Sequence, residues 1–172
     1  MRDDHGRSFV AGQCRLELLD RLEVEVQLVP LEFGGQRYLP VPEQVPTELR
    51  ATQASTGTLF ELSFVGRLHG PCQRCLRDTA IDHNVSAREY HASSPAADEE
   101  LRSEYVADDK LDLSGWARDA LVLDLPAQIL HDPDCAGLCP TCGKDLNEEP
   151  HEHEEEHSDP RWEALEQLRE QL

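Results

Sequence analysis

The chain has 172 residues, of which 38% are hydrophobic, 30% charged and 5% aromatic, enough apolar material for one modest core and too little for two full-sized domains. Its formal net charge of −19 is placed unevenly: residues 1–90 carry 10 Lys and Arg against 13 Asp and Glu, whereas residues 91–172 carry 6 against 22. A polyanionic half repels phosphate backbones, which argues against unaided electrostatic binding of nucleic acid and favours basic partners.

Residues 1–6 open with acidic side chains and lack the apolar run of a secretory signal. No stretch approaches the roughly 18 apolar residues that span a bilayer. The expected compartment is the cytoplasm, without membrane association, where paired cysteines are more often metal sites than disulfides.

In chain order, the first strong signal is alternation. Leu22, Val24, Val26 and Leu28 fall on one side of an extended segment, with Glu23, Glu25 and Gln27 on the other, as in a half-buried strand. Phe60, Leu62, Phe64 and Leu68 form a second such run, with Gly66 as a bulge or a point of close approach. Ile81, His83, Val85 and Ala87 form a third. Weaker strand signals cover 14–18 and 37–41, with Pro30, Gly34-Gly35, Pro40, Pro42 and Pro46 as turn punctuation. The N-terminal half therefore reads as an antiparallel sheet or open barrel.

After this half, Ala, Ser, Pro and acidic residues predominate without apolar periodicity, the composition of a mobile connector. Trp116, Ala120, Leu121 and Leu123 or Leu125 then predict a helix capped by Ser114 or Asp112 and ended by Pro126. Asp159-Pro160 followed by Trp162, Leu165, Leu168 and Leu172 predicts a last amphipathic helix. The expected fold class is α+β: an antiparallel β domain over 1–90 ending in a cysteine knuckle, and an acidic connector over 91–110. Residues 111–172 supply two or so helices, a zinc-knuckle segment and an acidic His/Glu loop, with the last helix packed on the β domain.

Five of the six cysteines cluster, as Cys72-Gln73-Arg74-Cys75 and as Cys135, Cys139-Pro140-Thr141-Cys142-Gly143. Thiolates two residues apart chelate one tetrahedral ion, because the turn between them aims both sulfurs and several amides inward. Proline fixes the second turn, and glycine permits a positive φ after its last ligand. A thioredoxin-like redox pair needs a strand and a helix around it, which neither pair has. Two zinc sets remain open: Cys72, Cys75, Cys139 and Cys142, or a local set drawn from Cys135, Cys139, Cys142, His151 and His153, with His157 as a further candidate. Four protein ligands leave no open position for water, so such an ion is structural and the protein is not expected to be an enzyme. Cys14 stands alone and reads as an inert core thiol. No P-loop, G-x-G-x-x-G, G-x-S-x-G or H-E-x-x-H pattern occurs.

The segment Gly66-Arg67-Leu68-His69-Gly70-Pro71-Cys72-Gln73-Arg74-Cys75-Leu76, then Arg88-Glu89-Tyr90, Asp112-Leu113 and Leu123-Asp124-Leu125-Pro126, resembles the bacterial YceD-like family. So do Gly137 through Asn147 and Asp159-Pro160-Arg161-Trp162. The resemblance implies a non-catalytic role in accumulation of large-subunit ribosomal RNA, and hence in ribosome biogenesis. Many relatives have Cys-x-Cys where this chain has His151-Glu152-His153, and others keep the first cysteine pair without the second. The expected partners are basic ribosomal or assembly proteins and pre-ribosomal particles. The alternative is direct RNA contact through Arg15, Arg21, Arg37, Arg50, Arg67, Arg74 and Arg77.

Overall fold

The computed structural model describes residues 13–15, by their backbone alone, and 21–94, 98–108 and 110–153. Among the described residues there are nine strands: β1 (Gln13–Arg15), β2 (Leu22–Gln27), β3 (Leu31–Phe33), β4 (Gln36–Pro40), β5 (Gln44–Gln53), β6 (Gly57–Pro71), β7 (Asp78–Ala92), β8 (Val106–Ala107) and β9 (Lys110–Asp112). A short 3-10 turn spans Glu99–Leu101, and one helix, α1, spans Leu113–Asp124.

The main sheet is antiparallel and has the order β2-β5-β6-β4-β3, with β7 along the other side of β6. It is an open sheet among the described residues, not a closed barrel. The spine is the β6–β7 hairpin, paired in register from Gly57↔Ala92 to Pro71↔Asp78. Beside it, β5 pairs the first half of β6 and β4 pairs its end.

Alternation decides the buried face. Leu49 lies opposite Leu62, Phe64 opposite Val85 and Leu68 opposite Ile81, so apolar side chains of neighbouring strands share one face. Ser63, Val65, Arg67 and His69 point to the solvent side. The buried face is covered by α1, which packs against β7 and β2 and buries Leu113, Trp116, Ala117, Ala120 and Leu121. Sheet and helix share one core, which also takes in Ile129.

The Asp112 side chain caps α1, accepting the Gly115 amide at 3.0 Å. Of the two residues expected to end the buried stripe, Leu125 packs half-buried against the core and Leu123 is 87% exposed. The stripe follows the 113, 116, 117, 120, 121 spacing that a 3.6-residue period requires. The register runs unbroken through Gly66, so no bulge forms there; a Cβ on Gly66 would meet Leu121 Cδ1 at 3.0 Å. Strand β5 went unpredicted because Pro42 and Pro46 read as turns. Pro46 is nonetheless in the strand, opposite Glu25, at a point where β5 has not yet begun to pair with β6, whose register starts at Thr47. The missing N–H therefore removes no bond on that side.

Part of the expected connector carries structure: β7 runs to Ala92, and Ser103 is buried just ahead of β8. One α-helix occurs among the described residues, and the helix expected at Trp162 to Leu172 lies outside them, as do the side chain of Cys14 and His157. Among the described residues no helix is long and apolar enough to cross a membrane.

Candidate metal centres

The tip of the β6–β7 hairpin is the first cysteine pair. The Leu76 amide donates to the Cys72 carbonyl at 2.9 Å, and the Cys72 amide donates to the Arg77 carbonyl at 2.7 Å. This ring of backbone bonds turns both sulfurs to one side and forces Leu76 to φ 61°. Gln73 fastens the tip to the chain beyond α1: its amide donates to the Ile129 carbonyl at 2.9 Å, and its side-chain oxygen accepts the Ile129 amide at 3.3 Å. Arg74 completes the junction by donating to the Cys135 carbonyl at 3.0 Å.

That junction brings His131 and Cys135 to the knuckle. The ligand atoms of Cys72, Cys75, His131 and Cys135 all lie within 4.8 Å of one another, and the three cysteines are buried. Cys72 Sγ is 3.8 Å from Cys135 Sγ, and Cys75 Sγ is 3.3 Å from His131 Nδ1. A tetrahedron with Zn–S bonds of about 2.3 Å has S–S edges of about 3.8 Å, so the donors stand close to ligating distance. Asn147 Nδ2 donates to Cys135 Sγ at 3.6 Å, the kind of outer hydrogen bond that tunes a metal thiolate. Burial opposes ionisation of Cys72, but hydrogen bonds from the Cys75, Arg74 and His131 amides and the His131 ring outweigh it and pull the thiol down to about 5. Burial pushes Cys75 up to about 11, aided by the neighbouring sulfurs. A divalent ion bound among these donors would hold the sulfurs as thiolates.

The second pair forms a separate group. Cys139, Cys142, His151 and His153 also hold their ligand atoms within 4.8 Å of one another, with Cys142 and His153 exposed. Cys142 Sγ lies 3.1 Å from His151 Nε2. Cys139 is held down to about 6, chiefly by the Cys142 amide, with the Thr141 amide, the Cys142 thiol and the His151 ring adding to it against burial. The two groups adjoin through one backbone bond and two side-chain ion pairs: the Leu138 amide donates to the Arg74 carbonyl at 3.1 Å, and the Arg77 guanidinium reaches the Asp145 carboxylate at 2.9 Å and the Glu148 carboxylate at 3.0 Å.

The residues singled out from the sequence are therefore divided differently from either expected set. Cys72 and Cys75 meet His131 and Cys135 rather than Cys139 and Cys142. Of the local set, Cys135 goes to the inner group while Cys139, Cys142, His151 and His153 stay together. The physical reason is the Gln73–Ile129 anchorage, which delivers the stretch just after α1, and not the second knuckle, to the hairpin tip. His131 was not anticipated. Its signal was the His131-Asp132-Pro133-Asp134-Cys135 spacing, in which two donors four residues apart flank a tight turn closed by the Cys135 amide on the Asp132 carbonyl at 3.0 Å.

An uncharacterized protein of Mycobacterium tuberculosis is 37% identical over 123 residues, a match that covers 69% of this chain and 58% of that relative. The chain thus spans less than two thirds of that relative's length. The uncharacterized protein YlbN of Bacillus subtilis is 27% identical over 83% of this chain and 81% of its own, and an uncharacterized protein of Mycobacterium leprae is 28% identical over 92% of this chain and 70% of its own. No solved structure matches significantly. Residues 60–169, which contain every donor of both groups, match the family described as large ribosomal RNA subunit accumulation protein YceD, and the chain belongs to that family.

Proposed function

We propose that the protein supports accumulation of large-subunit ribosomal RNA as a non-catalytic factor in the cytoplasm, binding basic ribosomal or assembly proteins, and that a structural zinc ion at Cys72, Cys75, His131 and Cys135 fixes its fold. The observation that carries this reading is the family match over residues 60–169, within which the buried thiol-rich group joins the sheet to the acidic C-terminal segment. Three thiolates and one imidazole suit zinc and leave no coordination position for a substrate or water. The acidic side chains Asp132, Asp134 and Glu152 are exposed around this segment, which suits Lys- and Arg-rich partners.

Direct RNA binding by the arginines is less well supported. Arg21 and Arg50 pair with Glu48, Arg67 with Asp82, and Arg77 with Asp145 and Glu148, so their charges are already answered within the fold. The reading is tested by deleting the gene in its native host and following the ratio of large- to small-subunit ribosomal RNA. A fall in that ratio, restored by the wild-type gene and not by Cys135→Ser, is expected; an unchanged ratio refutes the role. Partner chemistry is tested by affinity purification at low and high salt. Basic proteins that elute as screening grows support the reading, and RNA retained after replacement of Glu152, Glu154, Glu155 and Glu156 by Gln points to the arginines instead.

A further inference from the structure

The two cysteine pairs are the same device built twice. In the second, the Gly143 amide donates to the Cys139 carbonyl at 2.8 Å and the Cys139 amide to the Lys144 carbonyl at 2.8 Å. These are the bonds made in the first by Leu76, Cys72 and Arg77. The residue after the second cysteine is left-handed in both, with φ 61° at Leu76 and 73° at Gly143. A knuckle of this form supplies half of a tetrahedral site. Each of the two has its own second half, His131 and Cys135 from the distant chain beyond α1 for one, His151 and His153 from the chain just past the knuckle for the other.

The histidines of the outer group are arranged as ligands. His151 Nδ1 lies 2.6 Å from the Glu149 carbonyl oxygen, and its Nε2 lies 3.1 Å from Cys142 Sγ. A carbonyl can only accept, so Nδ1 carries the proton and donates it, which leaves the Nε2 lone pair directed at the sulfurs; this is how metal-binding imidazoles are oriented. The His153 ring stands edge-on to His151, with centroids 4.9 Å apart at 90°. Two rings set perpendicular in this way can each bring one nitrogen to a common point. An ordinary exposed loop of alternating His and Glu has no reason to gather two nitrogens and two sulfurs within 4.8 Å.

We propose that Cys139, Cys142, His151 and His153 form a second, independent zinc site of the Cys2His2 kind, open to solvent, so that each chain carries one enclosed ion and one exchangeable ion. Two thiolates and two imidazoles match the charge of a divalent ion, and a d10 ion accepts the tetrahedral geometry without penalty. Cys142 and His153 are exposed, whereas all three cysteines of the inner group are buried. Chelators therefore reach the outer ion directly and the inner one only after the hairpin tip opens. Because the outer ligands straddle Gly143 to Pro150, an ion there adds to the bonds that already fold this stretch, Arg77 to Glu148 and Lys144 to Glu149, and its release leaves the sheet intact.

The test uses the full chain, stripped and reloaded with zinc alone, with zinc counted by elemental analysis and its transfer to a chromogenic chelator followed in time. Two equivalents are expected, released in a fast and a slow phase. Cys142→Ser and His153→Asn, each at an exposed position, should remove the fast phase alone, and Cys135→Ser the slow phase alone. Cobalt substitution provides a second readout: the fast-exchanging ion should show weaker thiolate charge transfer than the slow one, two sulfurs against three. A single equivalent that survives both outer variants overturns the second site. A single equivalent lost in Cys135→Ser and in Cys142→Ser alike overturns it as well, in favour of one shared centre. A fast phase that persists with no slow phase in the wild type upholds the outer site and refutes the inner one.

Discussion

Leu76 and Gly143 occupy the same place in two successive knuckles, with φ 61° and 73°, and each donates its amide to the carbonyl four residues back, Cys72 at 2.9 Å and Cys139 at 2.8 Å. Left-handed backbone costs an L-residue with a side chain about 1–2 kcal/mol, so the first knuckle carries strain that the second does not. Leu76 is 54% exposed and contributes little burial in return. Leu76→Gly should therefore stabilise the protein by about 0.5 kcal/mol, once the extra freedom of unfolded glycine is subtracted. Gly143→Ala should destabilise its knuckle by about 1 kcal/mol or more, although a Cβ there meets nothing within 4 Å. Urea unfolding of the two zinc-loaded variants checks both signs.

The strands with clean alternation, β2, β6 and β7, were legible because each buries one face and wets the other, and α1 was legible from its cap and apolar spacing. What escaped were features set by distant chain. Strand β5 was hidden by Pro46, which is harmless only because β6 starts its pairing one residue later. The inner metal group was half legible. Cys72 and Cys75 announce a site by their spacing, but which residues complete it is decided by Gln73 docking on Ile129, a contact between residues 56 apart. No local pattern encodes such a contact. The outer group is closer to local in sequence, since its four residues all lie between Cys139 and His153.

The close approach of α1 to the sheet predicts a coupled pair. Leu121→Ala should cost about 2–5 kcal/mol, because Leu121 is fully buried and the site cannot collapse onto a sheet. Gly66→Ala should cost about 1–3 kcal/mol, because its Cβ would press on Leu121 Cδ1 at 3.0 Å and Phe64 Cε2 at 3.4 Å. Combined, the new methyl enters the space left by the removed side chain, and the double variant should be more stable than the sum of the singles by roughly 1 kcal/mol. Additive losses in urea unfolding would show that helix and sheet do not interlock there.

Alkaline stability should depend on Tyr105. Burial, then the Asp119 carboxylate that accepts its hydroxyl at 3.2 Å, then Glu104 and Glu89, push this phenol from 10.0 up to about 12. The folded state thus favours the neutral form, and the stability this gives is fully present below pH 10 and lost as pH rises through about 12. Tyr105→Phe keeps the ring that stacks on Trp116 at 6.4 Å and removes the titration. Wild type should be the more stable by about 1 kcal/mol near neutrality, with the gap closing across that window. A constant gap from pH 8 to 12 would refute the assignment.

Asn147 links the two knuckles, and its replacement should weaken the inner ion while leaving the outer ligands in place. Its Oδ1 accepts the Ala136 amide at 2.8 Å, and its Nδ2 reaches Asp145 Oδ1 at 2.6 Å and Cys135 Sγ at 3.6 Å. An N–H directed at a thiolate steadies the negative sulfur and so favours the metal-bound form over the protonated one. Asn147→Asp preserves the acceptor for Ala136, deletes both side-chain donors, and sets a carboxylate against Asp145 and the sulfur. Zinc affinity at Cys72, Cys75, His131 and Cys135 should fall about 10- to 100-fold in competition with a chelator. Asn147→Ala removes the donor without adding charge, so its loss should be the smaller of the two. The fast-exchanging zinc, which depends on Cys139, Cys142, His151 and His153, should keep its affinity in Asn147→Ala. If both variants release the two ions equally, Asn147 holds the segment together as a whole and does not act on the Cys135 sulfur.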